Sequence, residues 1–364
     1  MSLMTHISSK KILEQYLSLV KKLLPDKEGI SSVGIDIGFH SCKMVEIAKA
    51  GNTFQLNSFA IEPVINANMA EAIKAVLAKT KKSTRSPYTS VFGKGTLIRC
   101  VTMPRMPLED LKKSLAIEAD KYFPFAQDQI YTDCYILDDS GEDKKMPVLV
   151  AASKKEIVDA RIKLLTDLGL QVDFITLNPI AIANVLYVLG GAAEKKDPGS
   201  QPQPVAAILD MGETVSSLTI LVGRLPRFTR DIFLGGQDLN KRISNALGVS
   251  AQEAEKLKFD PQDKLTDVLN ACDSSLTNLI SEMRLSFDYF TTESNLHINK
   301  LLLTGGASML EGIRDYFAKN LDIPVENLDP LSTFQASEDI PKEELKKNSM
   351  RLSVALGLAL YHYD

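Results

Sequence analysis

Apolar and polar positions follow two rhythms along this chain. From Ser9 to Leu24 apolar residues recur at helical spacing: Ile12, Tyr16, Leu19 and Leu23 make one stripe, with Leu13, Leu17, Val20 and Leu24 beside it, and Pro25 ends the run. Lys10, Lys11, Lys21 and Lys22 lie on the polar face, which suits a helix docked on protein or one lying on a membrane surface. From Val33 the spacing becomes that of strands, giving "SVGIDIG", "CKMVEIAKA" and "FQLNSFAI" with "KAGN" as a hairpin turn. "MAEAIKAVLAKTKK" then reads as a helix, and "TSVFGKG" and "LIRCVTMP" as extended chain punctuated by Pro104 and Pro107.

Leu108, Leu111, Leu115, Ala119 and Tyr122 predict an amphipathic helix whose first turn carries Glu109 and Asp110, a favourable place for acids. "YTDCYIL" and "PVLVAASK" predict two strands, followed by the helix "KEIVDARIKLLTDLG", the strand "QVDFITL" and the helix "PIAIANVLYVL". "GGAAEKKDPGSQPQP" has the composition of a linker and divides the chain into halves. The second half opens on "VAAILDMGETVSSLTILVGRLPRFTRDIFL", which repeats the plan of residues 33–61: apolar strand, Asp-x-Gly, polar turn, apolar strand, short turn, third strand. Asp36 and Asp210 are 174 residues apart, about half the chain, so the pattern is that of an internal duplication. Helices follow over "QDLNKRISNAL", "SAQEAEKLK" and the long stripe from Leu269 to Phe290, then strand, glycine turn and helix over "KLLLTGGASMLEGIRDYFAKNL". "RLSVALGLAL" has no polar face and is expected inside.

At 364 residues, 45% hydrophobic and 24% charged, the chain can bury two cores of ordinary size. A net charge of -4 gives no general attraction to polyphosphate, so nucleic acid is not an expected partner. Four cysteines and four histidines are scattered without metal-ligand spacing, and reduced thiols fit a cytoplasmic location. No apolar run approaches the roughly 20 residues that span a bilayer, and the N-terminus lacks a signal-peptide pattern, so a soluble chain is expected.

The Asp-x-Gly hairpins carry the candidate chemistry. A strand that reverses through glycine offers backbone N–H groups to an anion and lets a phosphate approach closely. Two of them can clamp a polyphosphate from both sides, with Asp36 and Asp210 expected to hold the waters of a magnesium ion and Lys43 to neutralise phosphate charge. In "LTGGAS", Gly305 and Gly306 turn a strand into a helix and present a flat backbone against which an adenine ring can lie.

The order of phosphate hairpin, second phosphate hairpin and Gly-Gly turn resembles the actin and sugar-kinase superfamily. Within it, "MPRMPLEDLKKSLAIEADKYFPF", "GGQDLNKRI" and "EMRLSFDYF" resemble segments of the PilM family of type IV pilus assembly proteins, relatives of the cell-division protein FtsA, over nearly everything from Gly34 onward. The resemblance implies an α/β fold: a two-lobed actin-like (ribonuclease H-like, duplicated) ATPase fold with an FtsA-type inserted subdomain. Its parts would be an N-terminal extension over 1–30, a first lobe over 31–204 with the insert at about 96–172, and a second lobe over 205–364 with a peripheral subdomain at about 238–298. Carried over residue by residue, the phosphate motifs fall on Asp36, Gly38, Ser41 and Lys43 and on Asp210, Gly212, Glu213 and Thr214. The adenosine motif falls on Gly305, Gly306 and Ser308, and "AEKLK" nominates Glu255 and Lys258, which share a helix face at i, i+3.

The implied ligands are ATP and Mg2+. The implied partner is the short N-terminal cytoplasmic peptide of a PilN-like inner-membrane protein, with pilus motor ATPases and self-association as further contacts. The protein would then sit in the cytoplasm, peripheral to the inner membrane. Two departures from the pattern bear on activity. Phe39 and His40 stand where relatives carry serines, and Asn178 stands where bacterial actins have a glutamate that orients the attacking water. An amide is no carboxylate base, so no catalytic residue is assigned and hydrolysis is expected to be slow or absent. A filament protein like FtsA, a cytoplasmic component of type II secretion and a sugar kinase are the rival readings, although no segment supplies the kinase's catalytic aspartate.

Overall fold

The computed structural model describes residues 31–51, 53–81, 86–137, 144–189 and 204–363; the stripe from Ser9 to Leu24 and most of the linker lie outside them. The strand-period segments build two sheets on one plan. In the first, β1 (Ser31–Ile37), β2 (Ser41–Ala50) and β3 (Thr53–Pro63) form an antiparallel meander, and β4 (Tyr88–Val91) then β8 (Ile175–Leu177) join in parallel beside β1. In the second, β9 (Val205–Met211), β10 (Ser216–Val222) and β11 (Leu225–Ile232) repeat the meander, and β12 (Lys300–Thr304) then β13 (Val325–Asn327) join in parallel beside β9. Asp36 and Asp210 are the penultimate residues of equivalent strands. A short β14 (Gln335–Ala336) closes the far edge of the first sheet.

Helices cover the outer faces. In the first lobe α1 (Met69–Leu77) starts at Asn68, whose side chain accepts from the amide of Glu71. The predicted helix from Leu108 to Tyr122 is two, α2 (Leu108–Ile117) and α3 (Ala119–Tyr122), because Glu118 leaves helical geometry at φ -106°. They cover an antiparallel sheet of β5 (Thr96–Pro104), β7 (Lys145–Lys154) and β6 (Ile130–Ile136), with Met103, Leu111, Leu115 and Phe123 buried and Tyr122 and Phe125 packed against them. Those three aromatics therefore serve this unit's core. Its strands continue the second sheet through one residue pair, Phe228 with Arg99, whereas α4 (Lys155–Thr166) places Leu165 in the core of the first sheet with Ile35, Ile37 and Ile73.

Between the two sheets lies α5 (Asn178–Leu189). Over the second sheet lie α6 (Gly236–Leu247), α7 (Ala251–Phe259), α8 (Leu265–Ser294) and α9 (Ile313–Leu321). After α10 (Lys342–Asn348), the closing α11 (Ser353–Leu360) is buried at every position, as a helix apolar all round must be. Ala355, Leu356 and Ala359 of α11 meet Val45, Ile47 and Leu56 of the first sheet, while Val354 and Leu358 join Ala181 of α5 and Ile208 and Leu302 of the second. This contact depends on Gly357, because a Cβ there would stand 1.8 Å from the carbonyl oxygen of Ala181. The side-chain amide of Asn184 donates to the Gly357 carbonyl at 3.1 Å. Two apolar helices thus hold the lobes together and set the spacing of the strand ends.

Candidate functional site

Each meander ends its first strand in the same turn. The Gly38 amide donates to Ser41 O at 3.2 Å, and the Gly212 amide donates to Val215 O at 3.0 Å. Among the described residues, the amides of Phe39, His40, Glu213 and Thr214 at the two tips donate to no backbone carbonyl. Backbone donors grouped at paired turns suit a polyphosphate.

The hairpins differ in charge balance. Asp36 lies opposite Lys43 in the strand register, and Lys43 Nζ reaches Asp36 Oδ2 at 2.9 Å. Asp210 lies opposite Ser217, whose hydroxyl donates instead to Asp231 Oδ1 at 2.6 Å. Asp210 therefore has no cation of its own hairpin. Burial, then the charges of Asp36 and Asp231, push its carboxyl up to about 7, against the pull of Lys43.

The two turns and the Gly-Gly turn converge on one cleft of about 630 Å³. Of the residues expected from sequence, Asp36, Gly38, Lys43, Asp210, Gly212, Glu213, Thr214, Gly305 and Gly306 line it. Gly305 has φ +86°, and a Cβ there would fall 2.4 Å from Asp210 Oδ1, so the turn packs on the second hairpin only as glycine.

Ser41, Glu255, Lys258 and Ser308 stand behind the lining. Ser41 is buried and gives the first turn its acceptor carbonyl. The Ser308 hydroxyl donates to Gly305 O at 2.7 Å and so fixes the Gly-Gly turn. Lys258, only 1% exposed, pairs with Glu255 at 2.7 Å, and Asn240 donates to the same carboxylate oxygen at 2.5 Å. Burial raises the Glu255 carboxyl, yet the hydrogen bonds from Lys258 and Asn240 outweigh it and the net direction is down. The amides of Gly236 and Gln237 at the start of α6 donate to Gly212 O and Glu213 O at 2.9 and 2.8 Å, tying the peripheral helices to the second turn.

Two arginines near the cleft escaped the sequence reading. Arg161 of α4 donates to Ile37 O at 3.2 Å beneath the first turn; burial lowers its pKa and Asp36 raises it. Its polar helical context gave no signal. Arg351 lines the cleft beside Gly305 and Gly306, and its one trace in the sequence is a charge at the border of the apolar run "RLSVALGLAL". His40 Nδ1 stands 3.8 Å from Glu213 Oε2, a contact between the two hairpins. Phe39 packs edge-on against Phe92 with ring centroids 5.5 Å apart and is 57% exposed, so it flanks the turn. Asn178 does line the cleft, and its Oδ1 accepts from the Ser90 hydroxyl at 2.7 Å.

Phe92 also lines a second groove of about 810 Å³, where the first lobe meets the start of the insert and the end of β11. Its walls include Gly95, Leu97 and Ile98 on one side, Leu177 and Pro179 on another, and Asp231 and Phe233 on the third. Phe233 is 55% exposed, with Lys94 Nζ 4.8 Å above its ring.

The architecture matches solved structures. Similarity to a chain of the PilM-PilN type IV pilus biogenesis complex has a TM-score of 0.80 at 24% identity, covering 92% of this chain and 98% of that one. Ethanolamine utilization protein EutJ from Carboxydothermus hydrogenoformans aligns with a TM-score of 0.54 at 13% identity, covering 97% of this chain and 100% of that one. At such identities the likeness establishes the fold, a duplicated actin-like architecture. The sequence profile of the type IV pilus assembly protein PilM family matches residues 34–363. With the paired hairpins, the Gly-Gly turn and that continuous match, this chain belongs to the type IV pilus assembly protein PilM family.

Proposed function

We propose that this actin-like pilus assembly protein binds ATP with Mg2+ in the cleft and recruits the N-terminal cytoplasmic tail of a PilN-like inner-membrane protein, linking it to the pilus motor at the cytoplasmic face of the inner membrane. The observation that carries the nucleotide reading is the convergence of two hairpin tips, each with amides that no backbone carbonyl accepts, on a cleft that also holds Lys43 and the Gly-Gly turn. Asp36 and Asp210 would hold the ion through its waters, since Mg2+ keeps much of its hydration when phosphates supply the other oxygens. Among the described residues no group of three or more His, Cys, Asp or Glu is placed to ligate a metal directly. Asn178 supplies no base, so the nucleotide selects a conformation rather than driving turnover.

Support for the tail comes from the second groove and from the relative solved as a PilM-PilN complex. An extended apolar peptide of the N-L-L-P type can fill such a groove with leucines while its backbone pairs with exposed strand edges. Among the described residues no helix is long and apolar enough to cross a membrane. Titration of a labelled peptide should give micromolar binding, on the order of -8 kcal/mol. Phe233→Glu, at an exposed position, should abolish it without unfolding the chain. A folded wild type that ignores the peptide at high micromolar concentration removes the recruitment reading.

A further inference from the structure

The two hairpins repeat one plan, yet their flanks are closed differently. Beside β9 the ladder with β12 runs from Ala206 opposite Lys300 to Asp210 opposite Thr304, so the neighbouring strand supports the second hairpin up to its aspartate. Beside β1 the ladder with β4 pairs Gly34 with Tyr88 and Ile35 with Thr89 and stops there, short of Ile37. Arg161 of α4 takes up that position. Its Nη2 donates to Ile37 O at 3.2 Å and its Nη1 reaches Thr89 Oγ1 at 3.5 Å, while the Thr89 hydroxyl donates to Ile35 O at 3.2 Å. A side chain from a helix thus ties down the last strand residue before the Gly38 turn.

The guanidinium also changes the charge beneath that turn. Asp36 already has Lys43 at 2.9 Å, and Glu62 has Lys79 at 2.6 Å. Burial pushes the Cys42 thiol up to about 12, so it stays neutral. Arg161 therefore leaves the first hairpin with positive charge in excess. Burial disfavours that charge and Asp36 favours it, and a guanidinium keeps its proton in either case. On the second hairpin Asp210 faces Ser217, and the nearby Asp231 adds a further acid.

We infer that Arg161 is a positioning residue of the phosphate site: without touching the ligand it fixes the first turn through the Ile37 carbonyl and supplies the positive charge that favours a triphosphate over a diphosphate. A fixed cation attracts an anion in proportion to the anion's charge, so its contribution grows with each phosphate added.

This inference rests on the nucleotide reading, and the experiment separates the two. Binding of MgATP and MgADP is measured by calorimetry on the full chain for wild type, Arg161→Met and Arg161→Lys, with melting curves to establish folding. Arg161→Met should lose about tenfold in affinity for MgATP and less for MgADP, as expected for a unit charge acting at a distance in a partly hydrated site. Arg161→Lys keeps the charge and a donor, and should hold both affinities within about threefold of wild type. Unchanged MgATP affinity in Arg161→Met, equal losses for the two nucleotides, or an Arg161→Lys as weak as Arg161→Met would each overturn the role. If Arg161→Met fails to fold, Arg161→Lys decides: MgATP affinity within about threefold of wild type supports the inference, and a larger loss overturns it. Variants that bind both nucleotides as wild type does defeat this inference alone; a wild type that binds neither nucleotide defeats the nucleotide reading with it.

Discussion

Asp210 is the residue whose replacement should separate stability from ligand binding most sharply. Its carboxyl is pushed from an ordinary 3.8 up to about 7. Below pH 3.8 it is protonated folded or unfolded and contributes no pH dependence. As pH rises toward 7 the unfolded chain loses that proton while the folded chain keeps it, so folding stability falls across this window and levels off above it. A rise of about three units, at 1.36 kcal/mol each, sets an upper limit of about 4 kcal/mol. Asp210 borders the open cleft, and water there reduces the expected cost to about 2 to 4 kcal/mol. Asp210→Asn keeps the shape of the protonated acid and removes the titration. Urea unfolding of the nucleotide-free protein should therefore show the variant matching wild type near about pH 4 and exceeding it by about 2 to 4 kcal/mol near about pH 8. The same variant should lose the magnesium-dependent part of nucleotide binding. A stability difference that stays constant across this range would refute the reasoning, because it would mean the buried carboxylate is satisfied by something other than its proton.

Lys43→Met removes the cation from Asp36 and the phosphate end together, and ATP affinity measured by calorimetry should fall by about 1.5 to 3 kcal/mol. Phosphate release by the wild type, with or without partner peptide, should stay far below the median enzyme turnover of about 10 per second, since Asn178 is held by Ser90 and offers no base; turnover near that median would refute this. Gly357→Ala drives a methyl into Ala181 O and should destabilise the fold by about 1 to 3 kcal/mol or more, read as a lower melting temperature; an unchanged midpoint would show that α5 and α11 separate easily.

The amino-acid sequence by itself determined the strand meanders, because short apolar runs bounded by glycine and polar turns mark buried strands that one chain displays. It also determined the duplication, because Asp36-x-Gly38 and Asp210-x-Gly212 recur within the same strand–turn–strand plan, and the burial of the last helix, because a run with no polar face has nowhere else to go. The break at Glu118 was not legible, since nothing in its neighbours ends a helix locally. Lys258 carries the same letter as solvated lysines, and only the packing of α7 against α6 and the Gly-Gly segment removes it from water. The insert's attachment to the second sheet through Phe228 and Arg99 is a pairing across more than a hundred residues, which periodicity cannot encode. Asp36 and Asp210 look alike in sequence, yet one faces a lysine and the other a serine that turns away to Asp231. That difference, like the meeting of Arg351 with Gly306, was decided by tertiary structure alone, because charge balance depends on distances between strands and helices that the chain brings together only when α5 and α11 lock the lobes in place.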